Sequence, residues 1–122
     1  MSENVLGTAL LACGFAPKTG FYRDGFCRAG REDGGMHGVC AVVTEAFLTF
    51  SRDRGNDLIT PRPQWDFPGL QPGDHWCLCA LRWKEALLAG CAPPVVLEAT
   101  DAVCLKVLNR DDLLAHAWAA RQ

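Results

Sequence analysis

A chain of 122 residues, 49% hydrophobic and 21% charged, has the size and composition of one folded core, which excludes a disordered tract. Its formal charge of -2 is spread along the chain, with nine arginines and three lysines as the cations, so no basic field for nucleic acid is expected. The start, Met1-Ser2-Glu3-Asn4, lacks the charged segment of a secretory leader, and Val5 to Ala12 is too short and glycine-interrupted to span a bilayer. A cytoplasmic protein without a membrane partner is expected on these grounds. In that compartment the seven cysteines, at positions 13, 27, 40, 77, 79, 91 and 104, are expected to stay reduced, and their odd number agrees.

The first 38 residues are rich in glycine, and Thr19-Gly20-Phe21-Tyr22-Arg23-Asp24-Gly25 reads as an ordered loop with tight turns. Val39 to Val43 reads as a strand, followed by Thr44 as an N-cap and Glu45 in the first turn of a helix. Val43, Ala46, Phe47 and Phe50 form that helix's apolar stripe, and Gly55 ends it. Asn56 to Asp74 holds Pro61, Pro63, Pro68 and Pro72, whose missing donors and fixed φ angles predict a long, stiff loop. Trp76 to Cys79 reads as a buried strand passing into a helix over Leu81 to Ala89, with Trp83 and Leu87 paired on one face and Gly90 as the stop. Val95 to Leu97 and Val103 to Leu108 read as two further strands. A final helix follows, with Asp111 and Asp112 at its start and Leu113/Ala117 and Leu114/Trp118 as its buried stripe. These elements predict an α+β fold, a small mixed sheet with three flanking helices and long irregular loops, in a single domain over residues 1–122.

Two sets of residues carry candidate chemistry. His37 and Cys40, three positions apart after Gly34-Gly35, form a candidate catalytic pair in which the imidazole generates a thiolate. The loop residues Tyr22, Arg23 and Asp24, with His37, Asn56, Asp57 and Thr60, form a candidate binding set for a small polar or anionic ligand, expected to meet in one partly exposed cleft. Arg82 lies near a helix start, where its charge gains nothing from the dipole, which points to a separate reason for its presence. Cys77 and Cys79 fall on one face of the predicted strand, but Cys13, Cys27 and Cys40 are scattered, so no metal is expected. There is no glycine-rich phosphate loop, no Gly-x-Ser-x-Gly elbow and no His-Glu-x-x-His helix. The sequence names no cofactor and carries no signature of oligomeric state.

The chain resembles a family of small bacterial and eukaryotic proteins catalogued as a domain of unknown function, over about Asn4 to His116. The resemblance rests on Thr19-Gly20-Phe21-Tyr22-Arg23-Asp24-Gly25, His37 with Val39-Cys40-Ala41-Val42, Gly55-Asn56-Asp57-Leu58, Thr60-Pro61-Arg62-Pro63 and Phe67-Pro68-Gly69-Leu70. It continues through Pro72-Gly73-Asp74, Trp76-Cys77-Leu78-Cys79-Ala80, Arg82-Trp83 and Ala92-Pro93-Pro94-Val95-Val96-Leu97-Glu98-Ala99-Thr100. Phe26, His75 and Asp101 stand where that pattern commonly has cysteine, arginine and histidine. The resemblance implies no activity, cofactor or substrate. Three readings follow from the residues: a binding domain for a small polar or anionic ligand, a thiol-dependent enzyme using Cys40 and His37, and a protein-interaction domain using the loop around Trp65.

Overall fold

The computed structural model describes residues 2–119. At its centre two antiparallel strands, β1 (Val39–Val42) and β2 (His75–Leu78), pair in the register Val39↔Leu78, Cys40↔Cys77, Ala41↔Trp76 and Val42↔His75. The segment around Val95 adds single bridges on the far side of β1, antiparallel to Ala41 and parallel to Ala117. Three helices flank this ribbon: α1 (Glu45–Asp53), α2 (Ala80–Leu88) and α3 (Arg110–Ala115). The architecture is a small α+β fold with long loops, and among the described residues no helix is long and apolar enough to cross a membrane.

Local chemistry sets the helix ends. The Thr44 hydroxyl accepts from the Phe47 N–H at 3.1 Å, one of the orphan donors of α1, and Gly55 follows its C-cap at φ 88°. The buried side of α1 is Phe47, Leu48 and Ser51, turned from the expected stripe so that Ala46 is exposed and Phe50 half-buried. Arg82, in the first turn of α2, donates to the Arg54 carbonyl at 3.1 Å and thus serves the C-terminal end of α1 instead of its own helix. Trp83 is fully buried, and its indole N–H donates to the Pro93 carbonyl at 3.1 Å, so the largest core side chain carries no unmet donor. Asn109 is the exposed N-cap of α3, and its side chain accepts from Asp111 N–H at 2.8 Å.

Several expected elements differ. Val103 to Leu108 forms a 3-10 turn over Ala102–Lys106, because the Asp101 carboxylate accepts from Val103 N–H at 3.0 Å and caps it. The strand expected at Val95–Leu97 is extended only at its start and passes into a 3-10 turn over Leu97–Ala99. The last helix stops at Ala115, so Trp118 lies beyond it and pairs its backbone N–H with the Val95 carbonyl at 2.7 Å. β2 ends at Leu78, which leaves Cys79 as the N-cap of α2 and not on a shared strand face with Cys77.

The largest departure concerns the cysteines. Cys13 is bonded to Cys40 and Cys27 to Cys77, with Cα separations of 5.6 and 5.2 Å, which corrects the expectation that every thiol is reduced. The reason is spatial. Cys40 and Cys77 face each other across the ribbon, while Cys13 N–H donates to the Gly25 carbonyl at 2.7 Å and draws the two ends of the 13–27 loop together over that pair. All four cysteines are buried and form, with Ala99, an apolar cluster separate from the main core. Cys79, Cys91 and Cys104 remain free, and burial pushes the Cys104 thiol up to about 12, with Asp101 acting in the same direction.

The two backbone N–H groups flanking the sulfurs point away from the ribbon and meet buried hydroxyls: Cys40 N–H donates to Thr100 Oγ1 at 3.2 Å and Cys77 N–H to Thr19 Oγ1 at 2.8 Å. Thr100→Val leaves a buried donor unmet and is expected to destabilise the fold by about 1–3 kcal/mol, measured by urea unfolding. A chain denatured without reductant is expected to titrate three thiols, against seven after reduction. Replacing Cys13 and Cys40 together by alanine removes a crosslink spanning 27 residues, and denaturant unfolding is expected to read a loss of about 3 kcal/mol.

Candidate functional site

The Thr19–Gly25 loop is tied by its own backbone. Gly25 N–H donates to the Thr19 carbonyl at 2.8 Å and Arg23 N–H to the Gly20 carbonyl at 3.0 Å. Gly20 sits at φ 101° with its Cα against the Phe26 carbonyl, a conformation and a clearance that a Cβ would not have. The turn lays Arg23 over Trp76: its Nη1 donates to the Gly20 carbonyl at 2.8 Å and its guanidinium lies 5.1 Å from the Trp76 ring centre. Its neighbours point elsewhere. The Tyr22 hydroxyl donates to Glu32 Oε1 at 2.6 Å, and that hydrogen bond raises the phenol above its ordinary value. Asp24 accepts from Phe26 N–H at 3.1 Å, pairs with Arg28 and borders a separate depression with Ser2, Ala9 and Leu10.

His37 is held from three sides. Its backbone N–H donates to Asp33 Oδ2 at 2.7 Å, its Nδ1 lies 2.6 Å from Asp33 Oδ1, and the Phe21 ring stacks on it at 5.9 Å between centres. The Asp33 side chain is 0% exposed and that of His37 38%, so a buried carboxylate orients a half-exposed imidazole. Gly35 permits this, since a Cβ there would stand 2.7 Å from the imidazole Cε1. The expected partnership of His37 with Cys40 does not form: the imidazole is engaged by Asp33, and the Cys40 sulfur is in a disulfide at 0% exposure, where it is no thiolate. Asp33 was not among the sequence candidates, although its i,i+4 spacing to His37 across Gly34-Gly35 is the signal of a turn that brings the two together.

The third wall comes from the proline-rich loop. Asp57 makes a tight turn in which its carboxylate accepts from Ile59 N–H at 2.9 Å, Thr60 N–H at 3.1 Å and the Thr60 hydroxyl at 2.6 Å. The Thr60 hydroxyl first, then the two backbone donors, hold the Asp57 carboxyl down at about 2. Thr60 is therefore a support of Asp57. Arg62 Nη2 stands 3.9 Å from Asp57 Oδ2, and Arg62 and Phe67 exchange backbone hydrogen bonds at 2.8 and 3.1 Å, closing a small loop that lifts Trp65 to 68% exposure. Phe67 packs edge-on to Trp76 at 5.2 Å.

These walls enclose a cleft of about 280 Å³ bordered by Arg23, His37, Asp57, Arg62, Trp65, Phe67 and Trp76. Of the sequence candidates, Arg23, His37 and Asp57 meet there; Asn56 lies in an adjoining depression of about 220 Å³ that shares His37, Leu58, Trp76 and Cys77, and Asp24 does not join them. A larger depression of about 510 Å³ adjoins at Arg23, Trp65 and Phe67, but its remaining border is mostly proline, so the converging charges make the smaller cleft the candidate site.

A family model described as an uncharacterized protein conserved in bacteria (DUF2237) matches residues 3–117. The chain belongs to that family. No curated protein matches the chain. The family's description names no activity, so the chemistry of the site rests on the residues above.

Because the Asp57 carboxyl is held below its ordinary value of 3.8, its contribution to the loop is present above about pH 4 and is lost as pH falls towards 2. Thr60→Val is expected to raise the midpoint of the Asp57 carboxyl carbon, followed by NMR, towards that ordinary value while leaving the fold intact. A midpoint unmoved by the substitution would remove Thr60 from this role.

Proposed function

We propose that the protein binds a small anionic metabolite, a carboxylate or phosphate ester with a flat apolar body, in the cleft between the Thr19–Gly25 loop and the proline-rich loop. The observation that carries this reading is the convergence of Arg23, Arg62 and His37 on a depression walled by Trp65, Phe67 and Trp76. Two guanidiniums offer forked donors suited to planar anions, and aromatic walls suit an apolar body. The bordering acid, Asp57, has its oxygens committed to Ile59 and Thr60, so it repels an incoming anion less than a free carboxylate would.

Asp33 favours a second reading in which the bound ligand is also transformed. With Nδ1 of His37 engaged by a buried carboxylate, Nε2 is the ring nitrogen left to exchange a proton with a ligand, as a general acid or base. The thiol-dependent reading lacks its thiolate at Cys40, and Trp65, the anchor of an interaction surface, serves equally as a wall of the cleft.

Titration of the protein with inorganic phosphate and a panel of small carboxylates and phosphate esters tests the binding reading. Saturable quenching of tryptophan emission is expected, with NMR shifts at Arg23, His37 and Trp76. Arg23→Ala and Arg62→Ala are each expected to weaken the best binder about tenfold or more, the worth of one charged hydrogen bond. Saturable binding that neither substitution weakens, or no binding across the panel, counts against the site. Product analysis of the best binder separates the readings, since a binding domain returns its ligand unchanged and an acid–base enzyme converts it, a conversion that Asp33→Asn is expected to slow.

A further inference from the structure

The four bonded cysteines do more than form two separate staples. The sulfurs of Cys13, Cys27 and Cys40 all lie within 4.8 Å of one another, and Cys77 is bonded to Cys27, so both disulfides meet at one buried point. Two staples need no contact to restrain a chain, and placed apart they would restrain more of it. The convergence is built by the backbone. Cys40 and Cys77 are direct cross-strand partners with their N–H groups turned outward to Thr100 and Thr19, which marks the narrow, non-hydrogen-bonded kind of pair, about 4.5 Å between Cα atoms. Cys13 and Cys27 are delivered over that pair by a loop whose ends are joined at Cys13 N–H and the Gly25 carbonyl.

A tetrahedral thiolate site asks for four sulfurs about 3.8 Å apart around a cation that each approaches to about 2.3 Å; three of the four already lie within 4.8 Å of one another, and Cys77 reaches them through its bond to Cys27. We infer that the reduced cluster of Cys13, Cys27, Cys40 and Cys77 is a binding site for one thiophilic divalent cation of the zinc class, and that forming the two disulfides expels it. Reduction of the two disulfides takes four electrons and four protons, supplied by two equivalents of a dithiol that itself becomes a disulfide. The four thiols then release their protons as the sulfurs bind the cation. In the reverse direction, two equivalents of a two-electron oxidant take those electrons, two S–S bonds form and the cation leaves. Cys77 borders both the candidate cleft and the depression beside it, and Cys13 is the most exposed of the four at 6%. Two of the free cysteines stand apart from the ligand set: Cys91 is half-buried beyond the end of α2 and Cys79 caps that helix.

The test uses the full chain, reduced without oxygen by a dithiol, freed of reductant and titrated with Co²⁺. One Co²⁺ per chain is expected, with the intense visible bands of tetrahedral thiolate coordination, displaced by one equivalent of Zn²⁺. Diamide, a two-electron thiol oxidant, is expected to release the zinc to a chromophoric chelator. Cys13→Ser and Cys27→Ser are each expected to weaken binding on the order of a hundredfold, a quarter of the free energy typical of a four-ligand zinc site. Cys91→Ser is expected to leave it unchanged. Where a serine variant fails to fold, ¹¹³Cd NMR of the reduced wild-type chain replaces it, since a resonance in the range of four sulfur ligands supports the site and one outside that range overturns it. The inference also fails if the reduced chain gives no thiolate–cobalt bands, or if those bands vanish in Cys91→Ser.

Discussion

The pairing of Cys40 with Cys77 across the central ribbon is the contact on which the remaining architecture hangs. With only two paired strands, the ribbon has too little ladder to stand alone, and its outward N–H groups at this pair would be orphaned in an apolar interior. Thr19 and Thr100, from opposite ends of the chain, supply the missing acceptors, and Cys13 and Cys27 lock the 13–27 loop over the sulfurs. The loops are thereby held to a small sheet. The helices pack around the other residues of the same strands, with Phe47 and Trp83 in the main core.

The candidate cleft inherits its rigidity from that arrangement. Trp76 precedes Cys77 on β2 and lies beneath the Arg23 guanidinium, while Thr19 roots the loop that carries Arg23 by accepting from Cys77 N–H. His37 stands two residues before β1, fixed by Asp33. Arg23, His37 and Trp76 therefore take their positions from one ribbon. The opposite wall depends on the turn at Asp57 and on the Arg62–Phe67 closure, both local to the proline-rich loop. One side of the cleft is thus built by long-range contacts and the other by short-range ones, so the aromatic wall at Trp65 is the side better able to adapt to a ligand.

The elements legible in the sequence are those whose ends are written locally. Thr44 and Gly55 bracket α1, Gly90 closes α2, and the prolines between Asn56 and Asp74 keep that stretch irregular. The apolar run at Val103 to Leu108 misleads because its period suits a strand, while the deciding interaction is the Asp101 side chain at its start. The cysteines mislead for a different reason. Spacings of 27 and 50 residues carry no imprint of proximity, and an expectation about compartment says nothing about four sulfurs brought together by strand register. At the site, the grouping of Arg23, His37 and Asp57 was legible as polar residues in irregular segments, whereas Tyr22 and Asp24 found local partners in Glu32 and Arg28. Asp33 is not legible in the sequence because burial, which gives it its role, leaves no mark in a run of charged and glycine residues.

Asn4 ties the first described residues to the segment around Glu98. Its buried side chain donates to Thr8, Ala9 and Glu98 and accepts from Leu6 and Thr8, while the neighbouring backbone bonds to Thr100 and Ala102. The first ten residues close a small turn among themselves, but the long-range partners of that turn exist only once the segment around Glu98 to Ala102 is in place. Docking of that turn is therefore a long-range closure that follows the folding of the segment it meets.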